Sequence, residues 1–355
     1  MNPLRFLRED IAKLKPYKWE RRPGLIKMDA NENPFDAPHE LKQELAVALM
    51  KLPLNRYPDG SCRGLKEALS ERIGVDPDQI VVGNGSDELI GHIIAIFSSP
   101  KAKVIYPVPT FSMYGIIARS IGVRVGEVPL TERFEIDLKG MEREMDGEPN
   151  LVFISYPNNP TGNCFDEEAI LRLLERDDAI VVVDEAYYEF SGKTFLPLLD
   201  RFENLIILRT FSKAYGLAGL RVGYMIARRE VAGQVDKVRL PYNLNAFSQL
   251  AALKALRFVH DYAEQIKLII EERERVFEEM RRMEGVHPFP SEANFILFRV
   301  GNAEACFEGL MRRGVLVRNL SSPGLLEGCL RVTIGTPQQN DQFLEALRGC
   351  VAGEA

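Results

Sequence analysis

Short, wholly apolar runs alternate along this chain with longer stretches whose apolar residues recur every three or four positions. Leu151-Val-Phe-Ile-Ser155, Ala179-Ile-Val-Val-Val183 and Leu205-Ile-Ile-Leu208 have the length and composition of buried strands. Val104-Ile-Tyr-Pro-Val-Pro109 reads as another strand, and Ile80-Val-Val runs through a glycine turn into a helix beginning near Ser86. Residues 40–51 put Leu41, Leu45, Val47, Ala48 and Leu49 on one helix face. After a turn over 55–60, Ser61 is expected to cap a helix over 63–73. Further helices are expected from Thr110 and over 167–176, and the Asn/Pro/Asp density of 30–38 marks a loop. Strands this apolar, alternating with helices, predict a largely parallel sheet covered by helices on both faces. Ligands of such sheets sit beyond the carboxyl ends of the strands. Phe111, Asn159, Asp184 and Lys213 each follow such an end.

Beyond Pro241 the pattern changes. Helices are expected over 243–258 and 262–283, strands over 295–300, 315–317 and 330–334, and a helix over 303–313. This predicts a second, smaller α/β domain. The expected organisation is an arm over 1–45 that packs with the small domain, a large domain over 46–245 and the small domain over 246–355.

Composition narrows the function. A chain of 355 residues with 46% hydrophobic and 27% charged residues suits a soluble globular enzyme. A net charge of -6 gives no basic footprint for nucleic acid, and no apolar run approaches the roughly 20 residues of a membrane span. The first 18 residues are studded with charges and lack a signal core, so a cytoplasmic protein is expected. The five cysteines (62, 164, 306, 329, 350) and four histidines (39, 92, 260, 287) are scattered, which disfavours a metal site or a histidine triad.

The candidate chemistry lies just past the run at 205–208. Lys213 stands there with Thr210, Ser212 and Arg221, and with glycines at 216, 219 and 223. A lysine amine condenses with aldehydes when its surroundings lower its pKa. Hydroxyls beside a guanidinium suit a phosphate monoester. A phosphate that carries an aldehyde suggests pyridoxal phosphate; the plainer alternative is a solvated loop lysine beside a surface arginine. Gly85-Ser86 before a helix is a seat for an anion or a simple helix cap.

With Asn158-Asn-Pro-Thr-Gly162, Asp184-Glu-Ala-Tyr187 and Ser212-Lys213 followed by Gly219-Leu-Arg221, the chain resembles the fold-type I aminotransferases that use pyridoxal phosphate. Asp29-Ala-Asn-Glu-Asn-Pro34, Asn55-Arg-Tyr-Pro-Asp59, Gly85-Ser-Asp-Glu88 and Cys329-Leu-Arg-Val-Thr-Ile-Gly335 are similar to the histidinol-phosphate branch of that family. The resemblance implies that Lys213 binds the cofactor as a Schiff base and shuttles the substrate proton. It implies that Asp184 faces the pyridine nitrogen and keeps it protonated, and that Asn159 and Tyr187 bond the ring's phenolic oxygen. Phe111 would stack on the ring. Ser86, the backbone N–H of Asp87, Thr210, Ser212 and Arg221 would hold the phosphate, with Tyr57 reaching the cofactor of a partner subunit in a homodimer. Arg331 and Arg318 would bind substrate anions, with Tyr17 and Asn31 lining the same pocket; a salt bridge is the alternative for Arg318.

The implied reaction is ping-pong transfer between L-histidinol phosphate and 2-oxoglutarate through pyridoxamine phosphate, in histidine biosynthesis. An aromatic amino acid aminotransferase, a threonine-phosphate decarboxylase and a ligand-sensing module are the alternatives on the same scaffold.

Overall fold

The computed structural model describes residues 2–12, 22–99, 101–145 and 149–352. Strand β1 is Ile26–Lys27. A seven-stranded sheet then takes Ile80–Gly83 (β2), Lys103–Val108 (β3), Arg124–Pro129 (β4), Asn150–Ser155 (β5), Ala179–Asp184 (β6), Leu205–Thr210 (β7) and Gly223–Ala227 (β8). Their spatial order is β2-β8-β7-β6-β5-β3-β4. Strand β8 runs antiparallel to both neighbours, and the other pairings are parallel, as expected of wholly apolar strands.

Successive side chains of a strand point to opposite faces, and here they feed two separate cores. Ile154, Val181, Val183 and Ile207 join one cluster, whereas Phe153, Val182, Ile206 and Leu208 join the other. Both faces being apolar, the sheet has no solvated side, which is why these runs carry no polar alternation.

Val286–Pro288 (β9), Phe295–Val300 (β10), Val315–Leu316 (β11), Arg318–Asn319 (β12) and Cys329–Thr333 (β13) complete the strands. A four-stranded antiparallel sheet has the order β12-β13-β10-β9, and β11 pairs in parallel with β1. The helix Val259–Arg281 precedes this second sheet, and the helix Pro337–Val351 follows it. No helix among the described residues is long and apolar enough to cross a membrane.

Several expectations change. Ser61 does not cap the helix Arg63–Ile73. Asp59 does so, its carboxylate accepting from the Ser61 and Arg63 N–H groups at 2.9 and 2.8 Å, while Cys62 turns the chain at φ 51°. The helix expected from Thr110 starts at Met113, which leaves Thr110, Phe111 and Ser112 as a loop. Strand β4 escaped notice because an edge strand alternates polar and apolar residues and ends in proline. Strand β8 was hidden inside the glycine-rich segment read as chemistry.

Strand β7 extends to Thr210, so Arg209 is a buried strand residue. Its Nε and Nη2 donate to Glu185 Oε2 at 3.0 and 2.9 Å, and Phe195 N–H donates to Glu185 Oε1 at 2.6 Å. The pair joins the residue after β6 to the penultimate residue of β7, where the register sets Asp184 against Leu208. Breaking a buried pair by removing one partner typically costs 3–5 kcal/mol, because the other charge stays desolvated. Arg209→Met is therefore expected to lose about 3–5 kcal/mol in urea unfolding, and a loss below about 1 kcal/mol would show that the pair does not hold these strands.

Candidate active site

The carboxyl ends of β2, β3, β5, β6 and β7 open onto one cavity of about 810 Å³. Ser86, Asp87, Phe111, Asn159, Asp184, Tyr187, Thr210, Ser212, Lys213, Arg221, Asn31, Arg318 and Arg331 all line it. Tyr57 does not. It is 80% exposed and stacks on Tyr242 with ring centroids 4.5 Å apart. Tyr17 lies outside the described residues.

Lys213 leaves β7 through a turn closed by two bonds of the Thr210 hydroxyl, which accepts from Ser212 N–H at 3.1 Å and donates to Val222 O at 3.3 Å. The Lys213 amine donates to Ala30 O at 3.2 Å. Burial pulls its pKa down to about 8, with repulsion from Arg331 adding to the effect and Glu32 and Asp87 opposing it. A useful share of the amine is thus neutral, and nucleophilic, near neutral pH.

Asp184 ends β6 and is 4% exposed. Burial pushes its pKa up to about 6 although the Tyr114 hydroxyl, 2.8 Å from Oδ2, stabilises the charged form. Tyr114 was missed in the sequence. It stands in the first turn of the helix Met113–Ile121, and its ring meets that of Phe111 edge to face at 5.5 Å.

At the other end of the cavity the helix Ser86–Phe97 points its N-terminus inward. Gly85, at φ 80°, makes the entry turn, and a Cβ there would stand 2.6 Å from Arg221 Nη2. Gly223 brings β8 so close that a Cβ would lie 2.3 Å from Ser86 N. Arg221 donates to Ser212 Oγ at 3.3 Å and to Asp87 Oδ2 at 2.9 Å. The Asp87 carboxylate thus holds the arginine in place. Hydroxyls, free N–H groups and a guanidinium together form an anion cup.

Arg331 on β13 and Arg318 on β12 are directly opposed cross-strand partners. Arg331 donates to Asp29 O at 2.8 Å and to Asn159 Oδ1. Asn31 spends its side-chain amide on the Tyr187 hydroxyl at 3.0 Å. Asn158, fully buried, ties the ends of β3 and β5 together by donating to Pro109 O at 3.0 Å and accepting from Thr110 Oγ1 at 2.6 Å. The doubled asparagine of the sequence thus divides its work: one member holds the loops and the other faces the cavity.

The arrangement offers an amine, a buried acid about to be ionised and an anion cup at three points of one cavity. Residues 23–347 match the family model described as aminotransferase class I and II. The chain is 43% identical over 343 residues to the histidinol-phosphate aminotransferase of Caldanaerobacter subterraneus subsp. tengcongensis, covering 96% of this chain and 97% of the relative. It is 43% identical to that of Aquifex aeolicus, covering 95% and 96%. The crystal structure of histidinol-phosphate aminotransferase from Sinorhizobium meliloti in complex with pyridoxal-5'-phosphate superposes with a TM-score of 0.88 at 26% identity, covering 99% of this chain and 98% of that one. Fold, site geometry and full-length similarity agree: the chain belongs to the class I and II aminotransferases.

Proposed function

We propose that the chain transfers the amino group of L-histidinol phosphate to 2-oxoglutarate, giving imidazole-acetol phosphate and L-glutamate, with pyridoxal phosphate as cofactor. The observation that carries the substrate choice is the opposed pair Arg318 and Arg331 on the cavity wall. Two guanidiniums at one wall of the cavity favour an anionic substrate, and a bidentate guanidinium fits a phosphate and a carboxylate equally well. One cation pair thus suits both substrates in turn. The full-length similarity to histidinol-phosphate aminotransferases supports the same reading.

The residues fit the cofactor on independent grounds. Asp184 is a buried carboxylate with no cation among its hydrogen-bond partners in the described residues, so a protonated ring nitrogen is the partner it needs. When bound, pyridoxal phosphate supplies an aldehyde for the amine and a ring that accepts the electron pair released at the substrate carbon. Lys213 would take the proton from that carbon and return it at the neighbouring position, a role for which a pKa of about 8 suits it. Asp184 would hold the nitrogen's proton, Phe111 would cover the ring face, and Ser86, Ser212 and Arg221 would hold the phosphate.

We also propose a homodimer in which Tyr57 serves the partner's site. Met50, Leu54, Tyr57, Leu240 and Tyr242 leave large apolar side chains at the surface on two segments that the Tyr57–Tyr242 stack joins. Sedimentation at micromolar concentration is expected to give a species of twice the chain mass; a monomer would reject the shared site.

The central test is the visible spectrum of the protein supplied with pyridoxal phosphate. Histidinol phosphate alone, without keto acid, is expected to abolish the visible band and raise a near-ultraviolet one, and Lys213→Ala is expected to show no visible band. Arg318→Ala is expected to raise the half-saturating histidinol phosphate concentration about 10- to 100-fold, the worth of a charged hydrogen bond. Phenylalanine acting at lower concentration than histidinol phosphate would favour an aromatic substrate, and release of CO2 from a phosphorylated amino acid would favour a decarboxylase.

Asp184 gives a prediction about stability. Its pKa rises from an ordinary 3.8 to about 6 on folding, so between these values the folded cofactor-free protein holds a proton that the unfolded chain has released. Stability then falls as pH rises through that window, by about 3 kcal/mol in all. Cofactor-free Asp184→Asn is expected to melt above cofactor-free wild type at pH 7.5 and to lose that advantage toward pH 4, while binding cofactor more weakly. Equal melting temperatures at pH 7.5 would refute the strain assigned to Asp184.

A further inference from the structure

Asn31 is 1% exposed and sits in the left-handed region at φ 53°. Every hydrogen-bonding group of the residue is engaged. Its backbone N–H donates to Thr333 Oγ1 at 2.9 Å, and its backbone O accepts from Asn294 Nδ2 at 3.2 Å. Thr333 Oγ1 donates to Asn31 Oδ1 at 3.3 Å, and Asn31 Nδ2 donates to the Tyr187 hydroxyl oxygen at 3.0 Å.

One set of directions satisfies all of these bonds at once. An amide NH2 carries donors and no acceptor. With the Asn31 N–H on one lone pair of Thr333 Oγ1, the threonine hydroxyl donates to Asn31 Oδ1, and the amide NH2 is left toward Tyr187. The tyrosine oxygen accepts there. Its own O–H therefore points elsewhere, and Tyr187 lines the cavity.

We propose that Thr333 and Asn31 are positioning residues that make the Tyr187 hydroxyl a hydrogen-bond donor into the cavity, toward the phenolic oxygen of the bound cofactor ring. This rests on the pyridoxal phosphate reading above. A donor at that oxygen favours its deprotonated form, so the relay lowers the pH at which the cofactor's visible absorbance changes. Thr333 stands two residues from Arg331 on β13, hence on the same face of that strand. The strand that meets the substrate anion thus also sets the direction of the tyrosine proton.

Asn31→Asp tests the relay because it keeps the shape and reverses the polarity, and aspartate tolerates the left-handed backbone. Its carboxylate would accept from the Tyr187 O–H and draw it away from the cavity. With pyridoxal phosphate bound, Asn31→Asp is expected to raise the pH midpoint of the visible absorbance change by about one unit, the worth of one charge-assisted hydrogen bond. In a Tyr187→Phe background the same substitution is expected to leave the midpoint in place. Thr333→Val is expected to move it in the same direction by less, and decides the matter if Asn31→Asp does not fold. An unmoved midpoint in both variants, or an equal shift with and without the tyrosine hydroxyl, overturns the relay alone. A wild-type protein that shows no visible band with pyridoxal phosphate overturns the cofactor reading and the relay with it.

Discussion

The structure depends on keeping two ionisable groups, Lys213 and Asp184, out of water without letting them pair with each other. Burial pushes each toward its neutral form, the amine to about 8 and the carboxyl to about 6. A salt bridge between them would relieve both and would end the chemistry, since neither a protonated lysine nor a spent carboxylate could serve the cofactor. Separate strands prevent it: Asp184 closes β6, and Lys213 lies three residues past the end of β7. The Glu185–Arg209 pair keeps those two strand ends apart and in register. Charge pairing is thus used one residue behind Asp184, where it fixes geometry, and is not used between Asp184 and Lys213.

Much of this was legible in the sequence because the parallel sheet leaves a plain signature. Runs such as Ala179 to Val183 have no polar face, and residues directly after them converge at one edge whatever the details of the helices. Phe111, Asn159, Asp184 and Lys213 could therefore be assigned to one site before any coordinates. Periodicity could not supply the partners that reach the site from elsewhere in the chain. Tyr114 was invisible because a buried tyrosine on a helix looks like core, and its bond to Asp184 joins residues 70 apart. Asp59 replaced Ser61 as the cap because the turn at Cys62 is left-handed, a conformation that composition does not announce. The bonds that engage the Asn31 side chain were equally out of reach, since Thr333 and Tyr187 lie 302 and 156 residues away.

The segment Asp29 to Asn31 explains how two sheets share one cavity. Lys213 donates to Ala30 O, Arg331 donates to Asp29 O, and Asn294 donates to Asn31 O. Three consecutive carbonyls thus accept from the lysine of one sheet's edge and from two groups of the other sheet. A short segment with no regular structure of its own has its backbone bonds satisfied only when both sheets are in place. A displacement of β13 therefore reaches the lysine through the Arg331 side chain and the backbone of Asp29 and Ala30.

That coupling bears on substrate discrimination. On the proposed reading, a substrate anion would bind at the cavity wall where Arg318 on β12 and Arg331 on β13 are cross-strand partners. Arg331 also lowers the affinity of Lys213 for its proton. Neutralising Arg331 with a phosphate or carboxylate weakens that effect, so a bound anion makes the amine more basic than it is in the free enzyme. On the proposed reading, the lysine would be the weaker base when it condenses with the cofactor and the stronger one when it takes a substrate proton. A neutral amine of the same size would not produce that change, so the arginine would discriminate substrates by their effect on the base as well as by their fit.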